Sequence, residues 1–395
     1  MEQGKLNIGI FIDTFFPMVD GVVSVVDNYA RLLSERANVT VFTIKTKKQF
    51  DDSKLPYKVV RCKSVKVLNL DYSLGMPQFD EKFKKEVKNA DLDIVHIHSP
   101  FSIGKMGLKY AKRHKIPVVA TLHSQFEKDF YRSTKSKFLT KILLKKIMKV
   151  FNGCNEAWAV NGEVAKVFKD YGIKIKTIVM NNATDMEYMP EVDKAVLEKY
   201  GVDENKLNFL FVGRINALKN IYFTADVMEN LKNKGFDFVM NFVGGGQDFE
   251  HLKKYIEEKG VGDCVKLLGP IKDRHELATM YRVAKLFVFP SLYDCSSIVQ
   301  IEASSQKTPA IFIEHAVTAE NVENNVNGYL CEESVDKFAD KIIEIFKDEN
   351  LYNKVAENCY KTLYVNWKTK ISEVYDKYIE LVINNKANNI KKNNK

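Results

Sequence analysis

Two carboxylates, Asp294 and Glu302, flank a candidate helix start within residues 287–303, FVFPSLYDCSSIVQIEA. The apolar run 286–289 reads as a buried strand stopped by Pro290. Residues 291–297 then supply turn and N-cap chemistry before an apolar-periodic segment begins. With a helix start near Ser296 or Ser297, the backbone N–H groups of Ser297, Ile298 and Val299 point towards the carboxyl edge of a sheet, where an anion is favoured. Taken alone, the stretch is equally well a capped helix carrying one solvated acid.

A second constellation is VGRINALKN, residues 212–220. A strand ends in Gly213, Arg214 follows at once, and Lys219 stands where the next helix begins. Two cations and helix amides around a glycine turn form a receptor for a diphosphate, each charge-assisted hydrogen bond contributing about 1.5–3 kcal/mol net. The spacing is not that of a Walker loop. The triple glycine 244–246, with Gly245 at its centre, ends another strand, and Gly269, Pro270 and Ile271 follow a further one. Glycine turns at several strand ends of one sheet point to a nucleotide lying across that edge.

The first half carries its own candidates. Strand 6–13 leads into FFPMVDG and a helix from about residue 22. Gly21 is there either a simple turn glycine or a place where backbone approaches a bound group. His96 and His98 lie on one face of strand 93–98. Lacking a third ligand nearby in sequence, they read as sheet-end packing or substrate contact before metal ligands. Asp91 and Asp93 spell D-x-D, but they precede the strand and read as a loop. His123 ends strand 117–122 in a polar turn and reads as a pocket histidine.

Residues 133–151 predict one basic amphipathic helix. Lys137, Lys141, Lys145 and Lys149 step by four and cover an arc of about 120°. Phe138, Leu139, Ile142, Leu143, Ile147 and Val150 are expected opposite them. The helix is either a membrane-surface anchor, each lysine contributing on the order of 1 kcal/mol near an anionic bilayer, or a core-facing helix with a solvated lysine face.

These residues need a scaffold, and the alternation of strand and helix predicts α/β units with parallel sheets. A length of 395 residues, 45% hydrophobic and 28% charged, implies two domains. Residues 181–204, which contain Pro190, read as their connection. The last dozen residues, an Asn/Lys tail, are expected to be disordered. No apolar run reaches the roughly 18 residues of a membrane span, and the N-terminus enters a strand without a signal pattern, so a cytoplasmic location is expected. Six scattered cysteines without a C-x-x-C pair argue against disulfides and structural zinc. The net charge of +9 divides into +14 over residues 1–180 and −5 over the remainder. A basic half implies either an anionic partner, phospholipid head groups or nucleic acid, or simply solubility.

In order along the chain, DTFFPMVDGVVSVV, DIVHIHSPFSIG, ATLHSQF, NNATDMEYMP, VGRINALKN, the triple glycine, GPIKD and the D-x7-E stretch resemble the retaining family 4 glycosyltransferases of GT-B fold over about residues 6–330. The opening and the basic helix look most similar to members that glycosylate diacylglycerol and related lipids. The resemblance implies two Rossmann-like parallel-sheet domains facing each other across a cleft. The expected domains are 1–185, which binds acceptor, and 205–365, which binds nucleotide-sugar, with a C-terminal helix 366–385 packed back on the first domain, Trp367 near the junction, and a disordered tail 386–395. It implies that Arg214 and Lys219 neutralise the donor diphosphate, Glu302 holds ribose hydroxyls and Asp294 holds sugar hydroxyls. Backbone at Ser297, Ile298 and Val299 would meet the β-phosphate, with Gly21, Gly213 and Gly245 beside the donor. His123 would line the sugar subsite, and Gly269, Ile271 and Lys272 would border the base.

It further implies no metal and no cofactor, the nucleotide-sugar being a co-substrate, UDP-glucose favoured. Expected partners are a lipid or glycan acceptor and an anionic membrane surface on the cytoplasmic face, without nucleic acid. The family's first acid is usually Glu followed by Phe-Gly, whereas Asp294 is followed by Cys295, Ser296 and Ser297, a difference that bears on the donor sugar. A soluble capsule or cell-wall transferase, a nucleotide-sugar 2-epimerase and a non-catalytic partner subunit are the alternatives.

Overall fold

The computed structural model describes residues 5–18, 20–47, 50–66, 73–292, 294–295 and 298–393. The chain forms two compact units, Met1–Asn182 with Trp367–Lys395, and Ala183–Asn366.

In the first unit the strands are β1 (Asn7–Phe11), β2 (Asn38–Ile44), β3 (Lys58–Cys62), β4 (Ser64–Lys66), β5 (Ser73–Gly75), β6 (Ile94–Ile97), β7 (Val118–Leu122), β8 (Glu156–Ala159) and β9 (Lys176–Val179). Seven of them form a parallel sheet in the order β3-β2-β1-β6-β7-β8-β9, and β4 and β5 pair as a small antiparallel ribbon. The second unit contains β10 (Asn208–Val212), β11 (Val239–Val243), β12 (Val265–Gly269), β13 (Leu286–Val288), β14 (Ala310–Ile313) and β15 (Tyr329–Cys331), all parallel in the order β12-β11-β10-β13-β14-β15. Strands such as NFLFV in β10 and VVATL in β7 are buried throughout, because helices cover both sheet faces. In each sheet the strand order reverses once, between β1 and β6 and between β10 and β13. The loops leaving the carboxyl ends of strands at such a reversal diverge and leave a crevice, the usual ligand position of open α/β sheets.

Two expectations change, and the segment 181–204, expected without strands, gains a helix. The single helix expected over 133–151 is two helices, Phe126–Thr134 and Lys137–Phe151. Lys135 adopts a left-handed conformation between them, and Ser136 caps the second through Leu139 N at 3.4 Å. The connection 181–204 contains a short helix, Lys194–Tyr200, started by the Asp193 side chain and ended by Gly201 at φ +63°. The tail expected to be disordered from 386 instead continues the helix Trp367–Asn393. Asn385 and Asn389 donate to the Lys115 carbonyl, at 2.7 and 3.0 Å, and so give the polar tail a partner that composition cannot reveal. Closer to its start this helix buries Trp367, Ile371, Val374, Tyr378 and Val382 in a stripe of three- and four-residue steps.

Candidate active site

The loops at the carboxyl ends of β10, β11 and β12 are fastened to each other by backbone. Gly213 N donates to Val243 O, Ile215 N to Gly245 O, and Gly244 N to Gly269 O, at 3.0, 3.0 and 2.9 Å. Approach this close excludes a side chain. A Cβ on Gly244 would lie 1.8 Å from Gly213 O, and one on Gly246 would lie 2.1 Å from Ile215 O. Gly245, between them, would bring a Cβ within 4 Å of Pro270 alone and so presents its backbone to open space. Asp248 fixes the other side of the β10 loop by accepting from Ala217 N at 2.8 Å. Arg214 projects from this rigid turn, exposed and without an ion-pair partner among the described residues. Gly269, at φ +73°, ends β12, followed by buried Ile271 and exposed Lys272.

Lys219 and Asp294 meet across the β10/β13 reversal. The ammonium of Lys219, in the turn Ala217–Lys219, lies 2.9 Å from both carboxylate oxygens of Asp294 and 5.0 Å from the centre of the Phe289 ring. Ser291 donates to Asp294 Oδ2 at 2.7 Å, and Thr318 donates to the Ser291 carbonyl at 3.2 Å, so the acid is held from two sides. Both side chains of the pair are mostly buried. The arrangement places at a single strand edge one paired cation, its acid, and a second cation, Arg214, that is unpaired among the described residues. Ile298 and Val299 open the helix Ile298–Ser305 on the same side of β13, while Ser297 lies outside the described residues.

Glu302 sits one turn into that helix and is only 5% exposed. Its carboxylate accepts from Arg274 Nη1 at 2.7 Å and from Tyr281 Oη at 3.0 Å. Burial pushes its pKa up, opposed by the Arg274 charge and by both hydrogen bonds. Arg274 also reaches Asp185 at 2.6 Å and Thr184 at 3.2 Å, clamping the start of the second unit to Glu302. Sequence reasoning missed Arg274, Tyr281, Asp185 and Asp248. Asp273 marks a helix N-cap, but no sequence signal ties Arg274 to an acid so far along the chain.

In the first unit Gly21 opens the helix Gly21–Leu33, whose N-cap Asp20 accepts from Val23 N at 2.9 Å. The site of Gly21 is exposed, with nothing within 4 Å of a Cβ. Buried Asp13, also unremarked in the sequence, ties β1 to the helix Ser102–His114 by accepting from Ser99, Ser102 and Ile103 N at 2.6, 2.8 and 2.9 Å. His123 follows β7 and lies 2.9 Å from His98, so these two histidines come together. Among the described residues no group of three or more His, Cys, Asp or Glu side chains could hold a metal ion. Burial lowers the His123 pKa to about 3. Asp91 and Asp93 lie before β6 as expected, Asp93 accepting from Asn7 N at 2.9 Å.

Lys137, Lys141, Lys145 and Lys149 are all exposed. The buried stripe of their helix is not the expected one, being Thr140, Leu144, Ile147, Met148, Val150 and Phe151. Phe138 and Leu139 are instead 72% and 47% exposed. At about 100° per residue, Phe138 falls between Lys145 and Lys149 and Ile142 lies about 20° beyond Lys149, so apolar and cationic groups share the outward face. Among the described residues no helix is long and apolar enough to cross a membrane.

Known proteins agree with this architecture. Residues 19–188 match the family description "Glycosyltransferase Family 4", and residues 193–362 match "Glycosyl transferases group 1". The alpha-monoglucosyldiacylglycerol synthase of Acholeplasma laidlawii is 26% identical, over 96% of this chain and 98% of that protein. An Escherichia coli UDP-Gal:alpha-D-GlcNAc-diphosphoundecaprenol alpha-1,3-galactosyltransferase is 27% identical, over 76% of this chain and 78% of its own length. The structure of Anabaena HepE in complex with UDP and glucose superposes with a TM-score of 0.76 at 17% identity, covering 94% of this chain and 99% of that one. With matches spanning both units in order and the same fold beneath them, the chain belongs to the family 4 glycosyltransferases of GT-B fold.

Proposed function

We propose that the protein is a retaining, metal-independent hexosyltransferase that moves a sugar, glucose by preference, from a UDP-sugar to a lipid or lipid-linked acceptor on the cytoplasmic membrane face. The observation that carries this reading is the Lys219–Asp294 pair at the β10/β13 reversal, with exposed Arg214 leaving β10 beside it on loops whose Gly244 and Gly246 leave no room for a Cβ. Arg214 and Lys219 supply positive charge where a diphosphate leaving group gains negative charge, the role a metal would otherwise fill. Asp294, oriented by Ser291, accepts from sugar hydroxyls, and Glu302 accepts from ribose hydroxyls. The acceptor hydroxyl attacks the anomeric carbon on the face the diphosphate leaves, and a leaving-group oxygen takes its proton, so no protein nucleophile is assigned. UDP is supported as the donor's nucleotide by its presence in the HepE complex and in the name of the Escherichia coli relative. A lipid acceptor is supported by the Acholeplasma relative, and a polyprenyl-diphosphate-linked glycan by the Escherichia coli one. In EDTA, UDP is expected to raise the unfolding temperature while GDP leaves it unchanged; no shift with any nucleoside diphosphate would remove the donor half of the reading.

The outward face of Lys137–Phe151 supports peripheral membrane binding, since Phe138 and Leu139 are exposed among lysines. With vesicles containing phosphatidylglycerol, the wild type is expected to float. Lys141→Glu, Lys145→Glu and Lys149→Glu combined should weaken partitioning at least tenfold, at about 1 kcal/mol per lysine. Equal flotation would assign the lysines to solvation only.

A further inference from the structure

His98 has no assigned part in the reaction, yet it is buried and lies directly against His123. The two residues leave adjacent parallel strands, β6 and β7, at their carboxyl ends. His98 Nδ1 is 2.9 Å from His123 Nε2, and the rings stack at 5.2 Å with 23° between their planes. One nitrogen of His123 is therefore already used. Only Nδ1 remains to meet a bound molecule.

The His98 ring has little freedom to turn. Its backbone N–H donates to Phe11 O at 2.9 Å, and its ring centre lies 4.0 Å from that of His96. His96 is itself held at both nitrogens, by Tyr378 Oη at 2.5 Å and Thr121 Oγ1 at 2.7 Å. Tyr378 belongs to the C-terminal helix, so that helix braces the cluster from behind. Burial keeps His98 and His123 neutral, and charge on His96 or His123 would further disfavour a proton on His98, so a single proton lies between the pair. Its position depends on the far side of His98. Nε2 of His98 is buried without a hydrogen-bond partner among the described residues, and the perpendicular Tyr29 ring lies 5.5 Å from the imidazole. The electron-rich face of an aromatic ring favours an N–H beside it over an imine lone pair.

We propose that His98 is a positioning residue that fixes His123 in the Nε2–H tautomer. His98 carries its proton on Nε2 and accepts at Nδ1, so that His123 presents a bare Nδ1 lone pair as a hydrogen-bond acceptor. The group it meets is then a hydroxyl donor, as on a hexose, and not a carbonyl or phosphate oxygen. No proton is transferred; His123 only orients. The identification of that hydroxyl with the donor sugar rests on the function proposed above, whereas the tautomer does not.

The test is two-bond 15N–1H correlation NMR on the full chain labelled at its seven histidines, assigned by single replacement. Protons on Nε2 of both His98 and His123 are expected, and a proton on Nδ1 of His123 in the wild type would overturn the inference even if no variant folds. His98→Phe keeps the stacked ring but removes the acceptor. It should let both His123 tautomers appear and lower kcat/KM for the nucleotide-sugar about tenfold, the loss of one hydrogen bond, with UDP affinity unchanged. His98→Asn, which can place an acceptor near the Nδ1 position, should restore most of that loss. An unaltered tautomer and unaltered kcat/KM in His98→Phe would contradict the positioning role. Normal turnover in His123→Ala would instead remove the sugar contact while leaving the tautomer result intact.

Discussion

Arg214→Ala lowers kcat/KM for the nucleotide-sugar by about 10²- to 10³-fold, the loss typical of one donor aimed at developing negative charge. Because Arg214 is exposed and unpaired among the described residues, its removal leaves the unfolding temperature essentially unchanged. Lys219→Ala gives a similar kinetic loss but also destabilises the protein. Its ammonium is the cation bound to both oxygens of the mostly buried Asp294, and stranding that acid costs about 1–3 kcal/mol. The pair of variants separates the two duties. Steady-state kinetics and thermal denaturation on each would show a catalytic loss common to both and a stability loss confined to Lys219. Near-normal turnover in both would refute the diphosphate assignment.

The second large effect falls on Glu302, through Arg274. Removing the guanidinium leaves a buried carboxylate with only Tyr281 as partner among the described residues. Burial already raises the Glu302 pKa and Arg274 opposes it, so Arg274→Ala raises it further. The sign for stability follows. A carboxyl whose folded pKa exceeds its unfolded value is penalised above the unfolded value, where the unfolded chain ionises more readily. The deficit of Arg274→Ala is therefore present at neutral pH and shrinks on acidification as Glu302 is protonated. A protonated Glu302 has one fewer oxygen with which to accept ribose hydroxyls. Calorimetry with UDP and 2′,3′-dideoxy-UDP should show a preference of about tenfold or more for UDP in the wild type, the value of one or two hydrogen bonds. The preference should narrow sharply in Arg274→Ala and in Glu302→Gln. An undiminished preference would mean that Glu302 serves packing rather than ribose recognition.

Much of this arrangement was legible in the chain because its signals are local. Strand ends marked by glycine, proline and polar turns located the loops after β10, β11, β12 and β13, and with them Arg214, Lys219, Asp294 and Glu302. The parallel α/β architecture followed from continuous apolar runs such as NFLFV alternating with amphipathic segments. What stayed hidden depends on distance. Arg274 meets Glu302 only because the helix Arg274–Val283 packs beside Ile298–Ser305, and Asp13 caps a helix that begins far along the chain. The outward face of Lys137–Phe151 was misjudged for a related reason. Periodicity gives the angle between residues, but the neighbouring helix Phe126–Thr134 decides which apolar stripe is covered, and Phe138 and Leu139 are left out. The tail shows the limit of composition, since two asparagine side chains on one carbonyl hold a segment that looks disordered by content.

The proposed activity is transfer of a hexose from a UDP-sugar to a lipid with the anomeric configuration kept and no metal required. Its most direct test is incubation of the full chain with UDP-glucose and diacylglycerol vesicles in EDTA, followed by proton NMR of the glycolipid product. The expected result is an α-glucosyl lipid formed at the same rate with and without chelator. A β-linked product, or turnover that EDTA abolishes and a divalent cation restores, would contradict the account. So would the absence of any product when UDP-galactose, UDP-N-acetylglucosamine and GDP-mannose, with lipid and lipid-linked acceptors, are tried in turn.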